Sequence, residues 1–169
     1  MIYGIALGSN LGDRLGHLKA AVRSLLHLSA NVQLLAAASI YETDPVDCPE
    51  GSETFYNTVI EIETSLDPLT LLQHLQDIQT SQGRPREHGY NTPRTVDLDI
   101  LYADHLVLNH PDLTLPHPRM TQRRFVLQPL AEIRPLLMLP EFQKDISTLL
   151  TELDSAEPPL REVTKHWVR

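Results

Sequence analysis

Cysteine is almost missing from this chain: Cys48 is the only one. A disulfide framework and a cysteine-built zinc site are thereby excluded, and the usage suits a reducing compartment. Glycine is scarce at 7 residues and the 13 prolines follow no period, which rules out a collagen-like or low-complexity chain. No apolar run approaches the roughly 20 residues of a membrane span. Positive charge is also in short supply, with 14 basic against 22 acidic residues and a net charge of -8 with His neutral. Such a surface repels nucleic acid and anionic membrane, so an anionic ligand would need a local basic pocket. The opening residues carry no basic leader, and a cytoplasmic protein is expected. Apolar residues make up 41% of the 169, enough for a core, and one domain over residues 1–169 without repeat or linker is expected.

Residues 2–7 form a short apolar run closed by Gly8-Ser9-Asn10, which predicts a buried strand and a turn. Asp13 can cap a helix whose buried stripe is Leu15, Leu18, Val22, Leu25 and Leu26. Residues 32–41 are extended and apolar, a second strand. Between 44 and 53 lie two prolines, a glycine and four acids, which predicts an exposed loop. Residues 55–63 alternate, with Tyr56, Thr58, Ile60 and Ile62 on one face and Phe55, Asn57, Val59, Glu61 and Glu63 on the other. Asp67-Pro68 starts a second helix with Leu71, Leu72, Leu75 and Ile78 buried, ending near Gly83. A second loop spans 84–93, a fourth strand 95–102, and a short helix 123–133 closed by Pro135. From 154 onward, with Pro158-Pro159, a loosely held tail is expected. The order predicts an α+β fold, a ferredoxin-like βαββαβ sandwich with a mostly antiparallel sheet and helices packed on one face.

The chemistry concentrates at Pro93-Arg94-Thr95-Val96-Asp97-Leu98-Asp99, where two aspartates stand two apart in an apolar strand. On a strand they share a face. Paired carboxylates on a half-buried surface call for a proton or a cation between them, and Mg2+ or Mn2+ with a phosphate substrate suits such ligands. An edge strand with two solvated aspartates has the same spacing. Six arginines, Arg84, Arg86, Arg94, Arg119, Arg123 and Arg124, lie between 84 and 124, whereas the whole chain has three lysines. Guanidinium forks bind phosphate oxygens in pairs, so this cluster beside the carboxylates reads as a site for a metal-bound polyphosphate. No G-x-x-x-x-G-K-[ST] is present, which excludes a P-loop. None of the eight histidines forms an H-x-x-x-H pair, so zinc has little support. His117, held in Pro116-His117-Pro118-Arg119 just before Arg123, is either catalytic or a structural or solvated turn residue. Phe55 and Asn57 share a strand face, either to stack and bond a flat ligand or for packing alone.

In order along the chain, Ala6-Leu7-Gly8-Ser9-Asn10-Leu11-Gly12-Asp13, residues 41–43, Phe55-Tyr56-Asn57, Gly83-Arg84, the run from Pro93 to Asp99, and Pro116-His117-Pro118-Arg119-Met120 with Arg123 and Phe125 resemble 6-hydroxymethyl-7,8-dihydropterin pyrophosphokinase. The likeness covers residues 2–140. It implies a ferredoxin-like pterin diphosphokinase domain that moves the β,γ-diphosphate of ATP onto the pterin hydroxymethyl group and releases AMP, a step of folate biosynthesis. By the same resemblance, Asp97 and Asp99 hold two Mg2+ ions. Arg84 and Arg94 are catalytic loop residues over the triphosphate, and Gln76, Ile100, His117 and Arg123 complete the ATP site. Thr43, Val46, Phe55, Asn57 and Phe125 form the pterin pocket, with the two phenyl rings sandwiching the heterocycle. The implied partners are these two small molecules, with no nucleic acid or membrane and a monomeric state. Gln79 stands where the family usually has glutamate, Asn91-Thr92 where a bulky residue and glycine are common, and Asp44 where proline is frequent. A related Mg2+-dependent phosphotransferase and a non-catalytic pterin- or nucleotide-binding paralogue are the alternative readings.

Overall fold

The apolar run at the start of the chain forms β1 (Ile2–Ser9), which is flanked by antiparallel neighbours on both sides. The computed structural model describes residues 1–28, 31–44, 53–82, 95–153 and 160–168. Next comes α1 (Arg14–Leu26), begun by Asp13, whose carboxylate accepts the N–H of Gly16 at 3.0 Å. β2 (Gln33–Ala37), β3 (Ile40–Thr43) and β4 (Phe55–Glu63) follow. α2 (Pro68–Ser81) starts on Pro68, as expected; Asp67 occupies the cap position, though its side chain makes no capping bond. β5 (Asp97–Ala103) leads into a small hairpin, β6 (Leu108–His110) and β7 (Leu113–Leu115). The chain closes with α3 (Arg124–Ile133), α4 (Ile146–Glu152) and β8 (Arg161–Thr164). The main sheet runs β5-β1-β4-β3-β8, with β2 also on β4, and all its ladders are antiparallel.

Residues 32–41 make two strands rather than the single one expected. The ladder breaks at Ser39, whose N–H donates to the Glu132 carboxylate at 3.0 Å and whose hydroxyl donates to it at 2.9 Å. A carboxylate from α3 takes the bond a sheet neighbour would otherwise receive. β2 and β3 therefore pair separately with the two halves of β4.

The sheet is apolar on both faces, and this decides where the helices go. Leu18, Val22 and Leu25 of α1 and Leu71, Leu75 and Ile78 of α2 pack with Ile5, Leu7, Ile60 and Ile62. Val59, the residue between Thr58 and Ile60, points the other way, into a second cluster with Leu101, Tyr102, Val126, Leu127 and Leu130. The expectation of helices on one face holds for α1 and α2; α3 and α4 cover the opposite face. Two apolar faces need two covers, and each large buried aliphatic side chain contributes about 1.5–3 kcal/mol. A bulge opposite Gly4 and Ile5 turns both Leu101 and Tyr102 toward the α3 side.

The tail also departs from expectation. Over residues 160–168 it is tied down: β8 pairs with β3, and Trp167 is buried in the α1/α2 cluster with its indole N–H donating to the Ala38 carbonyl at 2.8 Å. Residues 154–159 and Arg169 lie outside the described residues, as do most of the two expected loops.

Candidate active site

Asp97 and Asp99 open β5 two residues apart, so their side chains leave the strand on one face about 7 Å apart. Leu98 and Ile100 face the α1/α2 cluster, which puts the two carboxylates on the α3 side of the sheet. Asp97 is partly buried and Asp99 exposed. Among the described residues β5 stands at the edge of the main sheet, where outward backbone groups call for partners other than a neighbouring strand. Gln79 of α2 supplies one: its Oε1 accepts the N–H of Leu98 at 2.8 Å, between the two aspartates, and the side chain is buried. The position at which the resemblance marks a missing carboxylate thus carries an amide bonded to the acidic strand. The Ser9 hydroxyl donates to the Thr95 carbonyl at 2.5 Å and ties the end of β1 to the residues leading into Asp97.

Gly8 lies opposite Asp97 on one side and opposite Asn57 on the other. A Cβ there would stand 2.8 Å from Asn57 Oδ1, so the bare backbone is what leaves room for the amide. Asn57 is buried, and its Nδ2 donates to Thr43 Oγ1 at 2.8 Å. Thr43 in turn sits opposite Phe55 in the β3–β4 ladder. Asp97 and the Asn57–Thr43–Phe55 group are two strands apart, roughly 10 Å, on one face. Glycine at position 8 reads from sequence as a turn; its role as a gap between two functional side chains depends on register.

Arg123 caps α3 from its start, and its guanidinium lies 5.5 Å from the centroid of the Phe125 ring. His117 precedes them. Its Nδ1 accepts the backbone N–H of Arg119 at 3.1 Å, which leaves the proton of the neutral ring on Nε2. Burial holds the imidazole below its ordinary range, and the guanidinium groups of Arg123 and Arg119 push the same way. His117 therefore offers a neutral donor, Nε2–H, to a cleft of about 240 Å³ that Leu72, Asp99, Ile100, Leu113 and Thr114 also line. Leu72 reads from sequence as part of the buried helix stripe, and Leu113 and Thr114 carry no sequence signal for the site. Gln76 is exposed on α2 and faces a separate depression beside Gln73 and Thr80. Val46, Arg84 and Arg94 lie outside the described residues.

Among the described residues, no group of three or more His, Cys, Asp or Glu side chains could enclose a metal ion. Two same-face carboxylates beside an open cleft suit a hard divalent cation that keeps waters and takes phosphate oxygens for the rest of its shell. Among the described residues, no helix is long and apolar enough to cross a membrane.

A ferredoxin-like sheet carries the acidic pair and Asn57 in one row, with His117 at the cleft beside Asp99. Residues 4–135 match the model of the 7,8-dihydro-6-hydroxymethylpterin-pyrophosphokinase (HPPK) family, and the chain belongs to that family. It is 50% identical over 129 residues to the 2-amino-4-hydroxy-6-hydroxymethyldihydropteridine pyrophosphokinase of Bacillus subtilis, covering 76% of this chain and 75% of that protein. It is 41% identical to the protein of the same name from Haemophilus influenzae over 149 residues, 88% of each. The fold is similar to a crystal structure of Plasmodium falciparum HPPK-DHPS with pteroate, at a TM-score of 0.68 and 16% identity, covering 89% of this chain and 42% of that one. A crystal structure of HPPK-DHPS with substrates gives a TM-score of 0.67 at 13% identity, with the same coverage of 89% and 42%. This chain thus spans about two fifths of the length of those solved chains.

Proposed function

We propose that this chain transfers diphosphate from ATP to the hydroxymethyl group of 6-hydroxymethyl-7,8-dihydropterin, releasing AMP, in folate biosynthesis. The observation that carries the reading is the row Asp97–Gly8–Asn57 across three strands, which sets a metal-type acidic pair beside an amide suited to a heterocycle. Family membership over residues 4–135 supports it.

In this reading the acceptor lies over β4 and β3. Asn57 bonds its amide edge, Phe55 and Phe125 stack on its faces, and Thr43 and Val46 close the recess. ATP lies along β5, with its base end in the cleft beside Ile100 and its phosphates toward His117, Arg123, Arg84 and Arg94; Gln76 assists from α2. The acceptor hydroxyl oxygen attacks the β-phosphorus and its proton leaves to solvent; the new O–P bond forms as the bond from the β-phosphorus to the α,β-bridging oxygen breaks, and that oxygen leaves with AMP. Catalysis is then positioning plus charge compensation. Two Mg2+ ions held by Asp97 and Asp99 would offset charge on the phosphate oxygens. His117 adds one Nε2–H hydrogen bond without adding charge, and Arg123 adds a fork.

The test is AMP release by the purified protein with Mg2+ and ATP, with and without the pterin. AMP should form in step with pterin diphosphate. Equal rates in both arms would reject this acceptor.

A further inference from the structure

We propose that Arg14 is a positioning residue for the acceptor pocket, clasping from behind the two strand ends that carry Thr43 and Phe55. Arg14 is the first residue of α1. Its Nη1 donates to the Thr54 carbonyl at 2.9 Å and to the Thr54 hydroxyl at 2.7 Å, and lies 3.6 Å from Glu42 Oε2. The Thr54 hydroxyl in turn donates to Glu42 Oε2 at 3.0 Å. The guanidinium also stacks on the Tyr56 ring, 4.0 Å from its centroid. One guanidinium thereby holds the end of β3, the start of β4 and Thr54 just before it.

Strand alternation gives these contacts their meaning. Glu42 precedes Thr43, and Tyr56 stands between Phe55 and Asn57, so the residues Arg14 grips and the pocket residues lie on opposite faces of the same short ladder. Among the described residues that ladder has three registered pairs, Tyr41 with Asn57, Glu42 with Tyr56 and Thr43 with Phe55. Its last described pair, Thr43 with Phe55, lies one residue beyond the pairs that β8 makes with Glu42 and β1 makes with Tyr56. Arg14 pins that end from α1, and Arg161 of β8 pairs with the other oxygen of Glu42. The Arg14 and Glu42 side chains are 22% and 14% exposed, so the pair is far better shielded than a surface contact. Lysine could keep the charge but not a planar group stacked on the Tyr56 ring while it donates to Thr54.

The inference rests on Thr43, Phe55 and Asn57 being the acceptor pocket. In the full-length protein, Arg14→Met should raise the pterin Kd and KM about tenfold while the Kd for a non-hydrolysable ATP analogue with Mg2+ changes less than about twofold. Arg14→Lys should recover part of the loss, and Glu42→Gln should add less in Arg14→Met than on its own. An Arg14→Met protein with a lower melting temperature but unchanged pterin Kd would overturn the proposal, as would an equal loss for both ligands. If Arg14→Met does not fold, Glu42→Gln and Thr54→Val carry the same test, and unchanged pterin affinity in both overturns it. An Asn57→Ala protein with unchanged pterin affinity would instead reject the pocket itself, separately from Arg14.

Discussion

The phenol of Tyr102 reaches across Gly4 to the carboxylate of Glu61, donating to it at 2.7 Å. Glu61 is buried and also receives Arg134 Nη1 at 2.6 Å, so its charge is compensated from two sides. Burial, followed by the bond to Glu61, raises the Tyr102 pKa, and the phenol stays protonated as a donor. A Cβ at Gly4 would stand 2.3 Å from the Tyr102 ring. Gly4→Ala should therefore destabilise by about 1–3 kcal/mol through overpacking, measured by urea unfolding. A variant as stable as the parent would show that the ring has another place to go.

Gly8→Ala should act on binding rather than on the core. Its Cβ would press on Asn57 Oδ1 and strain the bond from Asn57 to Thr43. Pterin affinity should fall by about 1–3 kcal/mol, with nucleotide affinity little changed, in calorimetric titrations. Equal weakening of both ligands would place the defect elsewhere.

Asp97→Ala removes one of the two carboxylates on the β5 face. Turnover should drop by on the order of 10²-fold or more while pterin affinity stays close to the parent value. Near-parental turnover at saturating Mg2+ would contradict the metal role.

His117 gives the protein a sign-definite pH dependence. Its folded pKa lies below the ordinary 6.5, so in that window the unfolded chain binds more protons than the folded one. Stability should therefore be intact above 6.5, fall as the pH drops from there toward the depressed folded value, and level off below both. His117→Asn, which keeps an acceptor for the Arg119 N–H, should remove that share of the slope. Parallel pH profiles for the two proteins would mean that the imidazole titrates alike folded and unfolded.

Local pattern made much of this molecule legible. The alternation of residues 55–63 matches β4 end for end, Asp13 caps the first helix, and Asp97 and Asp99 share a face because their spacing allows nothing else on a strand. What stayed hidden depends on partners distant in sequence. The break at Ser39 comes from Glu132, 93 residues away. Val59 reads as an apolar residue between Asn57 and Glu61 until Val126 and Leu127 arrive to cover it. β8 is exposed along most of its length and carries little apolar signal; its place is set by the edge of β3. Gln79 looks like the loss of a charge, and only its bond to Leu98 shows an edge strand being completed by a side chain.

The anchoring of Trp167 has a practical consequence. It is the only tryptophan in the chain, and its indole is sealed among aliphatic side chains far along the sequence from the acidic strand. Its fluorescence should be blue-shifted in the native protein and move to longer wavelength when the C-terminal segment lets go. A single intrinsic chromophore thus reports whether the last strand is docked, without any label.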